Sequence, residues 1–360
     1  TFIAAACVAM SLAYPPASAA TLSDAVADLA PQDREKVIGA ARAFLRGQPK
    51  ANRSANDLGW DCQAAIALSE LGEPGAKERL AGIADALNAS REQSKTSGKA
   101  IGWAAAGDAK ACVQARGGRN VPAACEGSTT IYAFQSGLAM ACLARAGSLL
   151  DRPELIVTAK AAMDYWSRHR FAKEPCKECV YFATSDSAED DERYIRNMNL
   201  FIAFGASEVG RATKDAALMM TAKQSVRSDI WERTNGNRGY LGKLDPLWTS
   251  RPGEAERIEN HSASMALLLK VMGATLGDSS IDRQAETVWR DWATCDNKRC
   301  QTAGCKYWAG NAAQCQATAT AAHCAFRLRD KLAKSQCETH LSLVPSLGSY
   351  GLWAILEARP

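Results

Sequence analysis

The sequence predicts an all-α protein built of helical hairpins, and three observations carry that expectation. Spacings of three and four between apolar residues recur nearly everywhere, whereas the alternation of a strand is rare. Gly147, Gly210 and Gly273 lie 63 residues apart twice over, each just after an apolar stretch and just before a charged amphipathic one. The apolar stretches, about 129–146, 191–209 and 256–272, are hydrophobic round most of their circumference, as helices of an interior are. Their amphipathic partners run over about 153–168, 214–231 and 280–292. One buried and one surface helix in regular alternation imply hairpins packed side by side. Closed into a ring, they make an inner wall of apolar helices and an outer wall of amphipathic ones.

In chain order, residues 1–20 are uncharged and apolar and end in PPASAA, so they are expected to be a signal peptide, with Pro15 and Pro16 breaking any helix there. No linker or low-complexity tract divides residues 21–360, which are expected to form a single domain. Pro31 suits the first turn of a helix reaching about Arg46, with Val37, Ile38, Ala41, Phe44 and Leu45 on one face. A second helix is expected over 60–71, stopped by Gly72, and a third from Glu73 or Pro74, with Leu80, Ile83 and Leu87 inward. The Gly-rich segment 90–128 reads as a loop of a length that is more often functional than idle. After the three repeated hairpins, YGLWAILEAR begins a last apolar helix.

Of the 13 cysteines, Cys7 lies in the leader, which leaves 12, an even number. With a signal-like leader this count reads as disulfides of undetermined pairing in a secreted or periplasmic protein. The segment 295–337 is especially rich, holding Cys295, Cys300, Cys305, Cys315, Cys324 and Cys337. Cys176 and Cys179 form a lone CxxC with neither a second pair nor a thioredoxin-like context, so no metal or cofactor is expected. No stretch beyond the leader approaches the roughly 20 apolar residues of a membrane span. The formal net charge of +4 comes without basic runs interleaved with aromatics, so neither membrane nor nucleic acid is an expected partner. The mild positive charge is compatible with an anionic ligand without selecting one. Oligomeric state is left open.

Alternating inner and outer helices, with aromatic and polar residues at the mouths of the inner ones, resemble the (α/α) toroid of carbohydrate-active enzymes, a group that includes six-hairpin glycosidases and several polysaccharide lyases. Asn260-His261-Ser262 is similar to the Asn-Asn-His-Ser run of toroid alginate lyases, in which an Asn neutralises the uronate carboxylate and the His is catalytic. Here Glu259 stands in place of the first Asn, and the nearest Arg and Tyr, Arg238 and Tyr240, precede the His rather than follow it. The resemblance implies a polysaccharide or oligosaccharide substrate.

The repeat adds an inference of its own: 63 residues before Asn260 lies Asn197, so the two amides are expected at equivalent heights on neighbouring inner helices. A uronate lyase must neutralise a carboxylate, remove the adjacent ring proton and protonate the leaving oxygen. Asn260, Asn197 and Arg196 suit the first task, His261 the second, and Tyr240 or Tyr194 the third. Among the 4 histidines (His169, His261, His323, His340), only His261 sits in such a polar mouth. Packing or helix capping is the competing use of each of these residues. A glycoside hydrolase would instead use two carboxylates. Candidates are Asp61, Asp108, Glu259 and the cluster Asp186, Glu189, Asp190 and Asp191, the last set equally suited to complementing a helix N-terminus. Trp60, Trp103, Trp248 and Trp353 suit either sugar stacking or core packing. A noncatalytic glycan-binding toroid is the third class.

Overall fold

The computed structural model describes residues 21–47, 54–94, 97–104, 130–168, 170–171, 180–183, 185–186, 196–226, 261–293 and 347–357, with the side chains of 170–171, 181, 196–197, 261–264 and 287–293 outside the description. The elements are α1 (Leu22–Ala25), α2 (Pro31–Arg46), α3 (Ala55–Glu70), α4 (Ala76–Ala89), β1 (Glu92–Gln93), β2 (Ile101–Gly102), α5 (Ala133–Leu149), α6 (Pro153–Arg168), β3 (Arg170–Phe171), β4 (Tyr181–Phe182), α7 (Arg196–Thr213), α8 (Ala216–Ser225), α9 (His261–Leu276), α10 (Ser279–Ala293) and α11 (Ser349–Glu357). The strands pair only as two short antiparallel ladders, β1 with β2 and β3 with β4. The fold is therefore all-α, as the sequence predicts.

Among the described residues, helices α3, α5, α7, α9 and α11 form the inner wall. Each packs on the next, and the ring closes where α11 meets α3. At that joint Ser349 donates to the buried Asp61, whose other oxygen lies 3.7 Å from Arg79 of α4. Outer helices lie against the inner wall: α4 on α3 and α5, α6 on α5 and α7, α8 on α7, α10 on α9, and α2 on α11. The sequence explains the division. In α6 the buried residues Leu155, Ala159, Ala162, Met163 and Trp166 follow helical spacing, while Val157 faces solvent. In α5 nearly every residue from Ser136 to Gly147 is buried. The result is an (α/α) toroid of inner and outer helices.

The repeated glycines occupy one structural position. Gly147, Gly210 and Gly273 each accept a hydrogen bond from the amide five residues on (Arg152, Asp215 and Asp278, at 2.8, 2.8 and 3.0 Å). In each turn the residue four on is left-handed: Asp151 at φ 54°, Lys214 at φ 56° and Gly277 at φ 60°. This is the Schellman termination, in which the left-handed residue lets the next amide reach back to an orphan carbonyl. The α3–α4 hairpin repeats it with Leu68 as acceptor, Glu73 as donor at 3.0 Å and Gly72 at φ 69°. The glycines also admit the outer helix: a Cβ on Gly147 would lie 2.6 Å from Ile156, and one on Gly210 would lie 2.8 Å from Met219.

Several boundaries differ from expectation for local reasons. The second helix starts at Ala55 rather than 60, because Ser54 caps it by accepting from the Asp57 amide at 3.2 Å. The third starts at Ala76, since Gly75 at φ 81° cannot be helical. Helix α8 begins after the left-handed Lys214 and ends at Ser225, short of the expected 231. Helix α5 begins at Ala133, because Tyr132 is extended at φ −104°, ψ 144°. The expected loop 90–128 contains the β1–β2 pair, and the stretch 105–129 lies outside the described residues. So do the leader and the Cys-rich segment 295–337. No helix among the described residues is long and apolar enough to cross a membrane.

Among the described residues one disulfide is formed, Cys62–Cys142, which joins inner helices α3 and α5 across 80 residues of sequence. Both cysteines are fully buried. Replacing both by alanine is expected to lower unfolding free energy by about 4 kcal/mol, the size of the loop-closure entropy restored to the unfolded chain; a urea midpoint unchanged by the replacement would contradict this. Gly137→Ala tests the inner wall, because the new Cβ would collide with the backbone carbonyl of Phe201 on α7. A loss of about 3 kcal/mol is expected. Gly39→Ala, at an exposed site in α2 with nothing within 4 Å, should instead gain about 0.5–1 kcal/mol. Equal effects at the two positions would disprove the close approach of α5 and α7.

Candidate active site

The inner helices run parallel, so the ring has two unlike mouths. Near the N-terminal mouth, aromatic side chains from four inner helices meet across the lumen. Trp60 of α3 stacks on Tyr350 of α11 with ring centroids 4.3 Å apart and planes 24° from parallel. Phe134 of α5 and Phe201 of α7 each approach Trp60 at 6.0 Å and meet each other edge to face at 4.4 Å. Trp353 closes the layer from below, 5.6 Å from Trp60. Trp60 and Phe134 keep part of their surface exposed, whereas Phe201, Tyr350 and Trp353 are buried. One turn before Trp60, Asn56 has a buried Oδ1 with no hydrogen-bond partner among the described residues, and the Oε1 of Gln135, beside Phe134, is in the same condition. Buried polar atoms are nearly always paired, so unpaired ones beside an aromatic surface mark a place for a polar ligand.

The candidates from the sequence fall into two groups. Arg196 and Asn197 open α7, Asn197 one turn before Phe201, and His261 is the first residue of the adjacent α9. The backbone thus puts these three in the opening turns of neighbouring inner helices; their side chains are not described. Tyr194, Asp190, Asp191, Arg238, Tyr240, Glu259 and Asn260 lie outside the described residues. The other group is described, and most of it is committed to the fold. Asp61 belongs to the α3–α4–α11 joint. Trp103 is fully buried and its indole donates to the Leu87 carbonyl at 2.8 Å. Asp186 accepts from the Ile131 amide at 2.8 Å and the Ser97 hydroxyl at 2.7 Å, tying three segments together. Of the tryptophans and tyrosines singled out in the sequence, Trp60 alone combines a described position with partial exposure at the mouth.

The polar cluster at the start of α7 contains one residue that is purely a brace. Asn199, 2% exposed, accepts from the Phe182 amide and donates to the Ser225 carbonyl, each at 3.0 Å. It fixes β4 and the end of α8 to α7, and so positions the turn that carries Asn197.

The C-terminal mouth holds a cluster that sequence reasoning missed. Glu208 of α7, its side chain 3% exposed, accepts from Arg211 at 2.7 Å, from Thr275 of α9 at 2.8 Å and from Arg145 of α5 at 3.4 Å. Arg145 also pairs with Glu70 of α3. Burial pulls the Arg145 pKa down, but Glu208 and then Glu70 outweigh it and raise the pKa overall, so the guanidinium stays charged. These residues rim a cavity of about 650 Å³. The repeat offered a signal that could have found them, since Arg145 and Glu208 lie 63 residues apart, two before Gly147 and Gly210.

The sequence matches no family model and no curated protein. Among solved structures, the chain is similar to the endo-β-1,4-glucanase CMCax from Acetobacter xylinum, with a TM-score of 0.53 and 12% identity over 90% of this chain and 98% of that one. It is also similar to a D-mannose isomerase, with a TM-score of 0.50 and 12% identity over 91% and 96%. At this identity the likeness establishes the helical toroid and nothing finer.

Asn199→Ala should destabilise the protein by about 1–3 kcal/mol, the cost of leaving the Phe182 amide buried and unpaired. Thermal denaturation checks this. A variant as stable as the wild type would mean that Asn199 is not the brace its contacts describe.

Proposed function

We propose that the protein is a carbohydrate-active enzyme that takes its saccharide at the N-terminal mouth of the ring. The observation that carries the reading is the partly exposed Trp60–Phe134 surface beside the unpaired oxygens of Asn56 and Gln135. A sugar has an apolar C–H face for the aromatic rings and hydroxyl donors for the amide oxygens. The likeness to a glucanase and a sugar isomerase supports the same class. Export belongs to this proposal, supported by the Cys62–Cys142 disulfide and the signal-like leader.

The chemistry we propose is β-elimination at a uronate. Asn260, Asn197 and Arg196 neutralise the sugar carboxylate, His261 removes the proton on the carbon beside it, and Tyr240 or Tyr194 protonates the leaving oxygen as the carbon–carbon double bond forms. The opening turns of α7 and α9 favour this chemistry electrostatically, because parallel helices direct the positive ends of their dipoles at the mouth, where negative charge grows in the transition state. Hydrolysis by paired carboxylates is the second reading, favoured by the likeness to CMCax over nearly its whole length.

The test is a parallel assay on uronate polymers, read by absorbance near 235 nm (roughly the wavelength of an unsaturated uronate), and on neutral β-glucans, read by reducing ends. His261→Ala is expected to lower turnover by a factor on the order of 100 to 10,000 without loss of stability. Trp60→Ala should mainly raise KM. Reducing ends without new absorbance would decide for hydrolysis, and unaltered turnover in His261→Ala with a clearly lower melting temperature would reduce the histidine to packing.

A further inference from the structure

The cavity at the C-terminal mouth is separate from the N-terminal mouth, because the layer of Trp60, Phe201, Tyr350 and Trp353 lies between them. Its volume of about 650 Å³ falls within the range of small-molecule sites, roughly 300–1,000 Å³. Phe204 of α7 and Ile66 of α3 give it an apolar side. Glu70, Glu208 and Glu357 face Arg145, Arg211 and Lys270 around it, so the formal charges of the described residues of the wall cancel. Within this lining Gln63 of α3 is 4% exposed, and its Nε2 has no hydrogen-bond partner among the described residues. A buried amide donor left without an acceptor is destabilising, so its retention at a cavity wall calls for an acceptor that enters the cavity.

We infer that this cavity is a second ligand site and that it takes a neutral mono- or disaccharide. Charge cancellation disfavours an ion, since any net charge on the ligand would meet as many like as unlike groups. A wall of alternating carboxylates and guanidinium or ammonium groups suits hydroxyls, each of which donates and accepts. The apolar side suits the C–H face of a pyranose, and a ring or glycosidic oxygen supplies the acceptor that Gln63 lacks. Among the described residues the site is formed from helix side chains, on the end of the ring where short turns join inner to outer helices.

The experiment is isothermal titration of the full chain with D-glucose, D-mannose and cellobiose in a Trp60→Ala background, which disables the N-terminal mouth. At least one of these sugars is expected to bind. Adding Gln63→Leu, which keeps the volume but removes the donor, should weaken that binding at least tenfold while the melting temperature holds or rises, because an unpaired buried donor is gone. Ala274→Phe, at an exposed position on the cavity rim, should block the entrance with the same loss of affinity and serves if Gln63→Leu folds poorly. The inference is overturned if no sugar binds in the Trp60→Ala background, or if binding there is indifferent to both further substitutions. Binding lost with Gln63→Leu but untouched by Trp60→Ala supports this site, and the N-terminal mouth is judged separately, by the effect of Trp60→Ala on turnover of uronate polymers.

Discussion

Gly137 on α5 lies so close to α7 that the Phe201 carbonyl occupies the space a Cβ would need, and Gly205 on α7 returns the contact, its own missing Cβ facing the Gly137 carbonyl at 3.1 Å. On the other side of α5, Gly59 of α3 meets Leu138 at 2.8 Å from where its Cβ would stand. Three neighbouring inner helices thus touch close to backbone, nearer than bulky side chains at the crossing would allow. This approach sets the width of the lumen. With a narrow lumen, one layer of aromatic rings spans it, and the polar residues above and below that layer are held at two separate ends. The Cys62–Cys142 bond locks α3 to α5 within the same contact.

The hairpin turns make the ends of the ring unlike. At Gly72, Asp151, Lys214 and Gly277 the chain leaves the inner helix through one left-handed residue, and the amide after it reaches back to the inner helix. Asp151 and Lys214 carry a side chain in a conformation that costs roughly 1 kcal/mol for any residue but glycine, and the satisfied carbonyl and the packed outer helix offset that cost. Turns this short leave little chain over the C-terminal mouth, so its cavity is lined by helix side chains. The return from α6 to α7 carries β3 and β4, and Asn199 ties β4 to the opening turns of α7 at the N-terminal mouth.

The sequence made the ring legible because its repeat is enforced by sterics. Gly147, Gly210 and Gly273 recur where no larger residue fits, and the all-round apolar character of α5, α7 and α9 follows from burial on every side. Boundaries were less legible where one local group decides them, as with the Ser54 cap or the left-handed Lys214. Polar residues were least legible, since type alone does not separate a brace from a ligand contact. Asn199 and Asn197 are two residues apart in the same opening turn, yet Asn199 has both its amide groups bound to backbone. Asp61 and Asp186, plausible hydrolase carboxylates from composition, are held by Arg79 and Ser349 and by Ile131 and Ser97. Trp103 stacks on no sugar because its indole is a buried cross-brace to α4.

The parallel inner helices also explain the charges at each end. The C-termini of the described inner helices direct partial negative charge at one mouth, where basic side chains are favoured and acidic ones are not. Arg145, Arg211 and Lys270 conform; Glu70, Glu208 and Glu357 oppose the field. Glu208 is nearly buried as well, and it accepts from three donors on three helices. A network that served only to close the ring would be as stable with apolar residues of similar volume, because desolvation of buried ions commonly cancels their attraction. Glu208, kept against both the dipole and burial beside a cavity with an unpaired amide, therefore fits the recognition site we infer better than a plug. At the opposite mouth the same dipoles present partial positive charge, so the two ends of one ring are electrostatically unlike, as the two different ligands we propose for them require.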